Sequence, residues 1–349
     1  MRSPDPLVSV LLPAKNAAPL IGEAIESLRA QSRVDWELLI ADDGSSDGTA
    51  DVVASWNDPR IRLFTHSECR GVAHRLNQME AVARGRFIAR MDADDRARPE
   101  RLSRQMHFLE THPDCSLCGT AVQTFGACSQ IYRLPREHDR IRAWLLFQPS
   151  LVHPTVLWRR EVFRHHQLSY QENPPTAEDY ELWIRASDRV RLANLPEVLL
   201  EYRVDESTKD SEYLRQQRRG DTVLKQRWLE RLGLPAGTKA QELHQIVARR
   251  EWESRQVDSA AVAEWIHRLG EANRQRRIFA TKALEALLTE RIYGLAGAGG
   301  WDLGRTWRHL RKVAESHRAQ ASGWAVRMVL RRVLLGGERR RMTQRGMTP

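Results

Sequence analysis

The chain has 349 residues, of which 41% are hydrophobic and 29% charged, and carries a net charge of +10. That length suits one large or two ordinary domains, and the apolar content is that of a soluble fold. No run of about eighteen uncharged apolar residues occurs, so no membrane span is expected, and the apolar run in "MRSPDPLVSVLLPAKN", broken by Pro13 and Lys15, is too short for a secretory leader.

The first expected element is a buried parallel strand, "LVSVLLP" at 7–13, rich in leucine and β-branched residues and closed by Pro13. Next, Leu20, Ile21, Ala24, Ile25 and Leu28 fall at helical spacing within "APLIGEAIESLRAQ". A second strand in "WELLIADDGSSDGT" runs into a polar turn, with Ser46 or Asp47 as the expected N-cap of a helix at 50–56. "IRLFTH" predicts a third strand, "VAHRLNQMEAVA" a helix and "RFIARMDADD" a fourth strand. This alternation predicts an α/β fold: a parallel sheet, right-handed crossovers and helices on both faces. "CSLCGTAVQTFG" reads as a further strand with small buried residues. Cys115 and Cys118 have metal-ligand spacing, with His112 and Cys128 near, but no second pair accompanies them and buried thiols are the better reading. Residues 130–205 are less regular. From 206 onward the chain reads as helices, interrupted by the glycine-rich "GLAGAGGWDLG" at 294–304.

Polar chemistry gathers at the strand ends. In open α/β sheets ligands bind beyond the carboxyl ends of the strands, and Pro13 to Asn16, Asp42-Asp43 and Asp92 to Asp95 all fall there. Three carboxylates within four residues repel one another and raise each other's pKa. A solvated turn would relieve this, since Asp favours turns. A divalent cation would too. Strand alternation puts Asp92 and Asp94 on one side, as hard oxygen ligands for Mg2+ or Mn2+. Asp42 and Asp43 can accept hydrogen bonds from a base or ribose, whereas neither a Gly-x-Gly-x-x-Gly turn nor a Gly-Lys-Ser/Thr loop is present to support NAD or ATP-hydrolase chemistry. Downstream, Thr176-Ala-Glu178-Asp179 has the form of a capping box opening the helix "YELWIRA".

The segments "VSVLLPAKN", "WELLIADDGSSDGT", "RFIARMDADDRARPERL", "HPTVLWRREVF" and "AEDYELWIRA...LPEVLLEYRV", in this order, resemble the inverting family 2 glycosyltransferases of the bacterial polysaccharide type, which have the GT-A fold. The resemblance implies a Rossmann-like nucleotide-sugar-binding half at 7–130 and an acceptor-binding and catalytic-base segment at 131–205, leaving a helical basic C-terminal region at 206–349. It implies transfer of a sugar from a nucleoside-diphosphate donor, commonly a UDP-sugar, to a hydroxyl of a glycan or lipid-linked glycan. By position, Pro13 and Asn16 border the nucleotide pocket, and Asp42 and Asp43 meet the base and ribose. Asp92 serves the ribose–phosphate and the metal, and Asp94 is the direct ligand of Mn2+ or Mg2+, with Asp95 beside it. Asp179 takes the catalytic-base position, supported by Glu178. His153 lies in the family's His-Pro segment on the acceptor side, where Trp183 and Arg185 could shape the pocket; local packing is the alternative for His153 and a core position the alternative for Trp183. Two departures stand out. Cys69-Arg70-Gly71 replaces the usual Asn-x-Gly, and Tyr202-Arg203-Val204-Asp205 has an acid near the place where the family often has His.

The charge is unevenly spread, with 29 Lys and Arg against 16 Asp and Glu in residues 206–349. Within "GWAVRMVLRRVLLGGERRR" the arginines are interleaved with apolar residues, which fits either a helix packed on the protein or one lying on an anionic membrane. A cytoplasmic location, peripheral at the inner face of the cell membrane, is expected. A sugar-phosphate nucleotidyltransferase would need a Gly-rich, Arg-containing N-terminal loop that this chain lacks. No nucleic-acid module is evident either, so nucleic acid is not an expected partner.

Overall fold

The computed structural model describes residues 6–33, 35–172, 177–205, 212–253 and 257–297; the basic stretch at 324–341 lies outside the described residues. The first strand, β1 (Val8–Ala14), is buried along its whole length because apolar side chains leave it on both faces. It is flanked in parallel by β2 (Trp36–Asp43) and β4 (Phe87–Arg90), and β3 (Ile61–His66) adds in parallel to β2. The expected crossovers are α1 (Ile21–Arg29), α2 (Thr49–Ala54) and α3 (Val72–Val82). Val8, Val10 and Leu12 share one core with Ile21, Ile25 and Leu28 of α1 and with Leu38 and Ile40 of β2. The alternate residues Leu11 and Leu39 are equally buried, and α3 packs against both of their strands.

The sheet then changes character. It has nine strands in the order β3-β2-β1-β4-β8-β6-β9-β5, with β7 (Ile131–Tyr132) beside β6. The strand β8 (Leu157–Arg159) runs antiparallel to both β4 and β6 (Cys115–Gly126), while β9 (Arg191–Val204) pairs in parallel with β6. The two-residue β5 (Arg96–Ala97) pairs with β9, and α4 (Arg101–Thr111) buries Leu102, Met106 and Leu109 in the α1-side core. The position 130, where a boundary was expected, therefore falls within one continuous sheet. Cys115 and Cys118 are buried free thiols in β6, and burial pushes Cys115 up to about 11.

The chain divides between Leu224 and Lys225 into two compact units. The helix α8 (Glu212–Arg231) spans that point, and α9 (Thr238–Arg249), α10 (Ser259–Arg276) and α11 (Thr281–Gly297) follow. In the second unit α10 packs against α9 and α11 through a buried face that includes Trp265, Ile266 and Leu269. Asp258 caps α10 by accepting from the amides of Ala260 and Ala261. Among the described residues no helix is long and apolar enough to cross a membrane.

One glycine fixes the register of β4 against β1. Gly85 is buried and donates its amide to Ser9 Oγ, which in turn donates to the buried carboxylate of Glu37. A β-carbon at Gly85 would lie 2.4 Å from Ser9 N and 2.7 Å from Val8 C, both backbone atoms that cannot step aside. We expect Gly85→Ala to lower stability by about 1–3 kcal/mol, the usual cost of overpacking. It should appear as a lower denaturant midpoint at unchanged slope; an unchanged midpoint would show that β1 and β4 can separate there freely.

Candidate active site

The carboxyl edge of the parallel strands is built first from two interlaced loops. Pro13, inside β1, sits opposite Ala41, and Ala14 sits opposite Asp42. Beyond them Asn16 adopts a left-handed conformation, φ 49°, a region that Asn tolerates. Its amide donates to Ser45 Oγ at 2.9 Å, and its side-chain oxygen accepts from Ser46 N at 2.9 Å. Asp42 accepts from Ser45 N at 3.0 Å. The N-cap of α2 is Gly48, in a left-handed conformation, rather than Ser46 or Asp47. Asp47 instead accepts from the amides of Thr49 and Ala18, tying the second loop back to the first.

Asp43 turns out to be committed. Its Oδ1 accepts from Arg70 N and Arg75 Nε, and its Oδ2 from Gly71 N and the Cys69 thiol, at 2.6–3.3 Å. A carboxylate has about four lone-pair sites, so little remains for a ribose. Burial raises its pKa, but the donors from Arg70, Arg75 and Gly71 outweigh this and bring it down to about 2. The Cys69-Arg70-Gly71 segment is thus held by two backbone amides and the Cys69 thiol: Asp43 draws it in, and Gly71, at φ 86°, stands at the head of α3. Lys15 Nζ reaches Cys69 Sγ at 3.1 Å on the same rim.

The three acids after β4 are brought together, although not by strand alternation. β4 ends at Arg90, and a turn gathers Asp92, Asp94 and Asp95 so that one carboxylate oxygen from each lies within 4.8 Å of the others. Arg90, almost fully buried, pairs with Asp92. From β9, Arg203 donates its amide to Asp95 Oδ1 and its Nε to the Asp94 carbonyl, both at 2.9 Å. Its guanidinium also reaches Glu23. Burial, then repulsion from Asp92, pushes Asp95 up to about 8 and raises Asp94 in the same way. Asp95 Oδ2 is buried and has no hydrogen-bond partner among the described residues. An all-oxygen cluster whose members raise one another's pKa, with one oxygen left without a partner among the described residues, fits a hard divalent cation. Arg90 and Arg203 were not singled out as site residues from the sequence. The only signal for Arg90 was an arginine inside the otherwise apolar "FIAR".

Across the site, α6 (Arg160–His165) follows β8, and α7 (Glu178–Ser187) carries the Glu178-Asp179 pair. The residue preceding α7 is Ala177 at φ 86°; the expected capping box begins at Thr176, which lies outside the described residues. Asp179 accepts from Tyr180 N at 2.7 Å. Burial, then repulsion from Glu178, pushes it up to about 7, against the pull of Arg90. One turn on, Trp183 is fully buried and meets the His153 ring edge-on, with centroids 6.0 Å apart. Arg185 is engaged elsewhere, with Glu181 and the Ser169 carbonyl. The structure therefore brings His153, Trp183 and Asp179 into one wall and leaves Arg185 at its outer side.

Residues 9–167 match the family described as "Glycosyl transferase family 2". A Haemophilus influenzae protein named as an uncharacterized glycosyltransferase is 31% identical over 229 residues, covering 61% of this chain and 70% of that protein. The Escherichia coli protein WfaP, named as a UDP-Glc:alpha-D-GlcNAc-diphosphoundecaprenol beta-1,3-glucosyltransferase, is 28% identical, covering 63% of this chain and 86% of WfaP. The crystal structure of S. aureus TarS 1–349 in complex with UDP-GlcNAc superposes with a TM-score of 0.55 over 89% of this chain and 91% of that one, at 18% identity, a likeness of fold. With the strand-end acids and the sheet order that hold them, these matches place the chain: it belongs to glycosyl transferase family 2 and is a glycosyltransferase.

Proposed function

We propose that this enzyme moves a sugar, with inversion, from a nucleoside-diphosphate donor to a hydroxyl of a glycan or lipid-linked glycan in cell-surface polysaccharide or glycolipid assembly. The observation that carries the reading is the carboxylate trio after β4, a negative cluster with an orphaned oxygen at the ligand-binding edge of the sheet. Asp94 and Asp92, with Asp95, would hold the Mn2+ or Mg2+ they fit, and such an ion supplies positive charge against a departing diphosphate. Pro13, Asn16 and Asp42 border the nucleoside, while Asp43 fixes the 69–71 loop beside it. UDP is favoured as the nucleotide because the relative WfaP is named for UDP-Glc and its fold neighbour TarS was crystallised with UDP-GlcNAc. The name of WfaP also includes a diphosphoundecaprenol-linked sugar, which supports a lipid-linked acceptor. The basic excess of residues 206–349 suits peripheral contact with an anionic membrane surface.

Asp179 takes the proton from the acceptor hydroxyl as that oxygen attacks the anomeric carbon. A carboxylate at its ordinary pKa would be a weak base at neutral pH; burial and Glu178 raise it to about 7, where a general base is most useful. His153 and Trp183 line the acceptor side, and Glu178 tunes the base by repulsion.

Two outcomes are expected. Asp94→Ala removes the Mn2+-dependent part of UDP binding in calorimetry while the protein stays folded, since the substitution relieves repulsion within the trio. Unchanged Mn2+-enhanced affinity would mean that the ion is held elsewhere.

For the base, transfer (kcat/KM) should fall about tenfold per pH unit below about 7, as Asp179 takes up its proton. Asp179→Asn lowers transfer by about two to four orders of magnitude, and Glu178→Gln moves the acid limb to lower pH by removing a like charge. The stability of Asp179→Asn separates this role from a capping role. A raised folded pKa gives stability that is full below the unfolded value and lost as pH rises through about 7. The neutral isostere should therefore melt no lower than wild type at pH 8. Near-normal turnover with a lower melting temperature would assign Asp179 to capping instead.

A further inference from the structure

Beside the base helix a tyrosine is held with unusual firmness. Tyr170 is buried, and its backbone is clamped by a single side chain on α3: Asn77 Nδ2 donates to the Tyr170 carbonyl at 2.8 Å, and Tyr170 N donates to Asn77 Oδ1 at 3.0 Å. Asn77 thus pairs with it as a neighbouring strand would. The phenol oxygen lies 2.9 Å from His153 Nε2, and the two rings are 5.5 Å apart. A short turn of 3-10 helix, His153–Thr155, holds the histidine backbone, and Trp183 holds the other side of its ring. His153 is therefore fixed from three directions, all within the first compact unit.

We propose that Tyr170 is a positioning residue for sugar transfer: its hydroxyl sets the tautomer of His153, so that the imidazole offers an Nδ1–H to a hydroxyl oxygen of the acceptor glycan. The inference rests on the transfer reading above and adds to it the group that recognises the acceptor. Both partners are neutral in the folded protein. Burial, and then the nearby charge of Arg90, holds His153 well below the ordinary imidazole range. Burial holds the Tyr170 phenol well above its own range, with Glu80, Asp179 and Glu178 adding to the effect and Arg90 opposing it. Between a neutral phenol and a neutral imidazole the stronger bond has the O–H donating to the bare nitrogen, because the phenol is the better acid and the imidazole nitrogen the better base. Nε2 is then the acceptor, and the ring's one proton sits on Nδ1. Among the described residues Nδ1 has no recorded partner, and it is not among the buried orphaned atoms, so it meets accessible space. Trp183, against which the ring is packed, follows Asp179 by one turn on α7, so the imidazole and the base share one wall. In water a neutral histidine prefers its proton on Nε2. The phenol reverses that preference.

The test uses the full chain labelled with 15N-histidine at pH 7.5, with the His153 resonances assigned by their loss in His153→Gln. Wild type should show the Nδ1–H tautomer, and Tyr170→Phe should shift His153 towards Nε2–H. With a nucleotide-sugar donor and a hydroxyl acceptor, Tyr170→Phe should raise the acceptor KM about tenfold while kcat changes less than threefold. His153→Gln should raise KM similarly, and the double variant should lose nothing further, because both act through one contact. An Nε2–H tautomer in wild type overturns the proposal whether or not Tyr170→Phe folds. A shifted tautomer with unchanged acceptor KM overturns it as well. Failure of wild type to hydrolyse or transfer any nucleotide sugar would instead remove the transfer reading on which it stands.

Discussion

The site is built on a buried positive charge. Arg90 ends β4 with its side chain 4% exposed, and below it the carbonyl of Arg90 receives the guanidinium of Arg101, which is itself fully buried. An unpaired buried cation is strongly unfavourable, and for Arg101 the loss of water is severe enough to bring its pKa down to about 10. The turn that follows β4 answers this by folding Asp92 onto Arg90 and setting Asp95 over the same region. Two guanidiniums do not balance three carboxylates, and Arg203 gives part of its charge to Glu23 instead. Burial and the repulsion that remains among the acids push Asp95 up to about 8. A divalent cation, as proposed above, would relieve that repulsion.

Asp43 and Asp95 show why burial alone does not identify such a place. Both lie at the same edge of the sheet, 5% and 1% exposed. One is brought down to about 2 and the other pushed up to about 8. The difference is in donors. Four hydrogen bonds converge on Asp43, whereas Asp95 receives one, from the Arg203 amide, and keeps a bare oxygen. A carboxylate with every lone pair met is part of the scaffold, and here it shapes the loop before α3. A carboxylate left short is a site for something the chain does not itself provide.

What was legible in the sequence was what is local. β1, β2, β3, β4 and their crossover helices follow from buried apolar runs and helical spacing, and the acid clusters at their ends follow from composition. In the mixed half of the sheet β6 was legible as a strand, but β8 and β5 were not, because β8 has three residues and β5 two, and each exists only through its neighbours in space. The cap of α2 was misread for a related reason. Ser46 and Asp47 have capping chemistry, yet the chain enters α2 through left-handed backbone at Gly48. The acid trio was found for an incomplete reason: alternation would have carried Asp92 and Asp94 along a strand, but the buried pairing of Arg90 with Asp92 ends the strand and makes a turn. Tyr170 lay in a stretch without periodicity, and nothing in the sequence indicated that Asn77, ninety-three positions away, would fix its backbone.

The entry to α7 shows the cost of placing an acid in such a wall. Ala177 holds φ 86° although it has a β-carbon, a conformation that costs roughly 1–2 kcal/mol. The strain turns the chain so that Asp179 falls in the first helical turn, beside Trp183 and under the influence of Arg90. Position in the first turn of a helix favours the ionised carboxylate, as does the Arg90 charge, yet burial and Glu178 outweigh both. Full solvation would leave a carboxylate too acidic to accept a proton readily at neutral pH. Deep burial without Arg90 would hold it protonated. A value near 7 requires the two effects together, so the group that destabilises the folded wall when ionised is the same group that can take a proton from a hydroxyl. Stability has to come from elsewhere, chiefly from β1 and β2, where buried apolar side chains on both faces and the Glu37 network carry no such conflict.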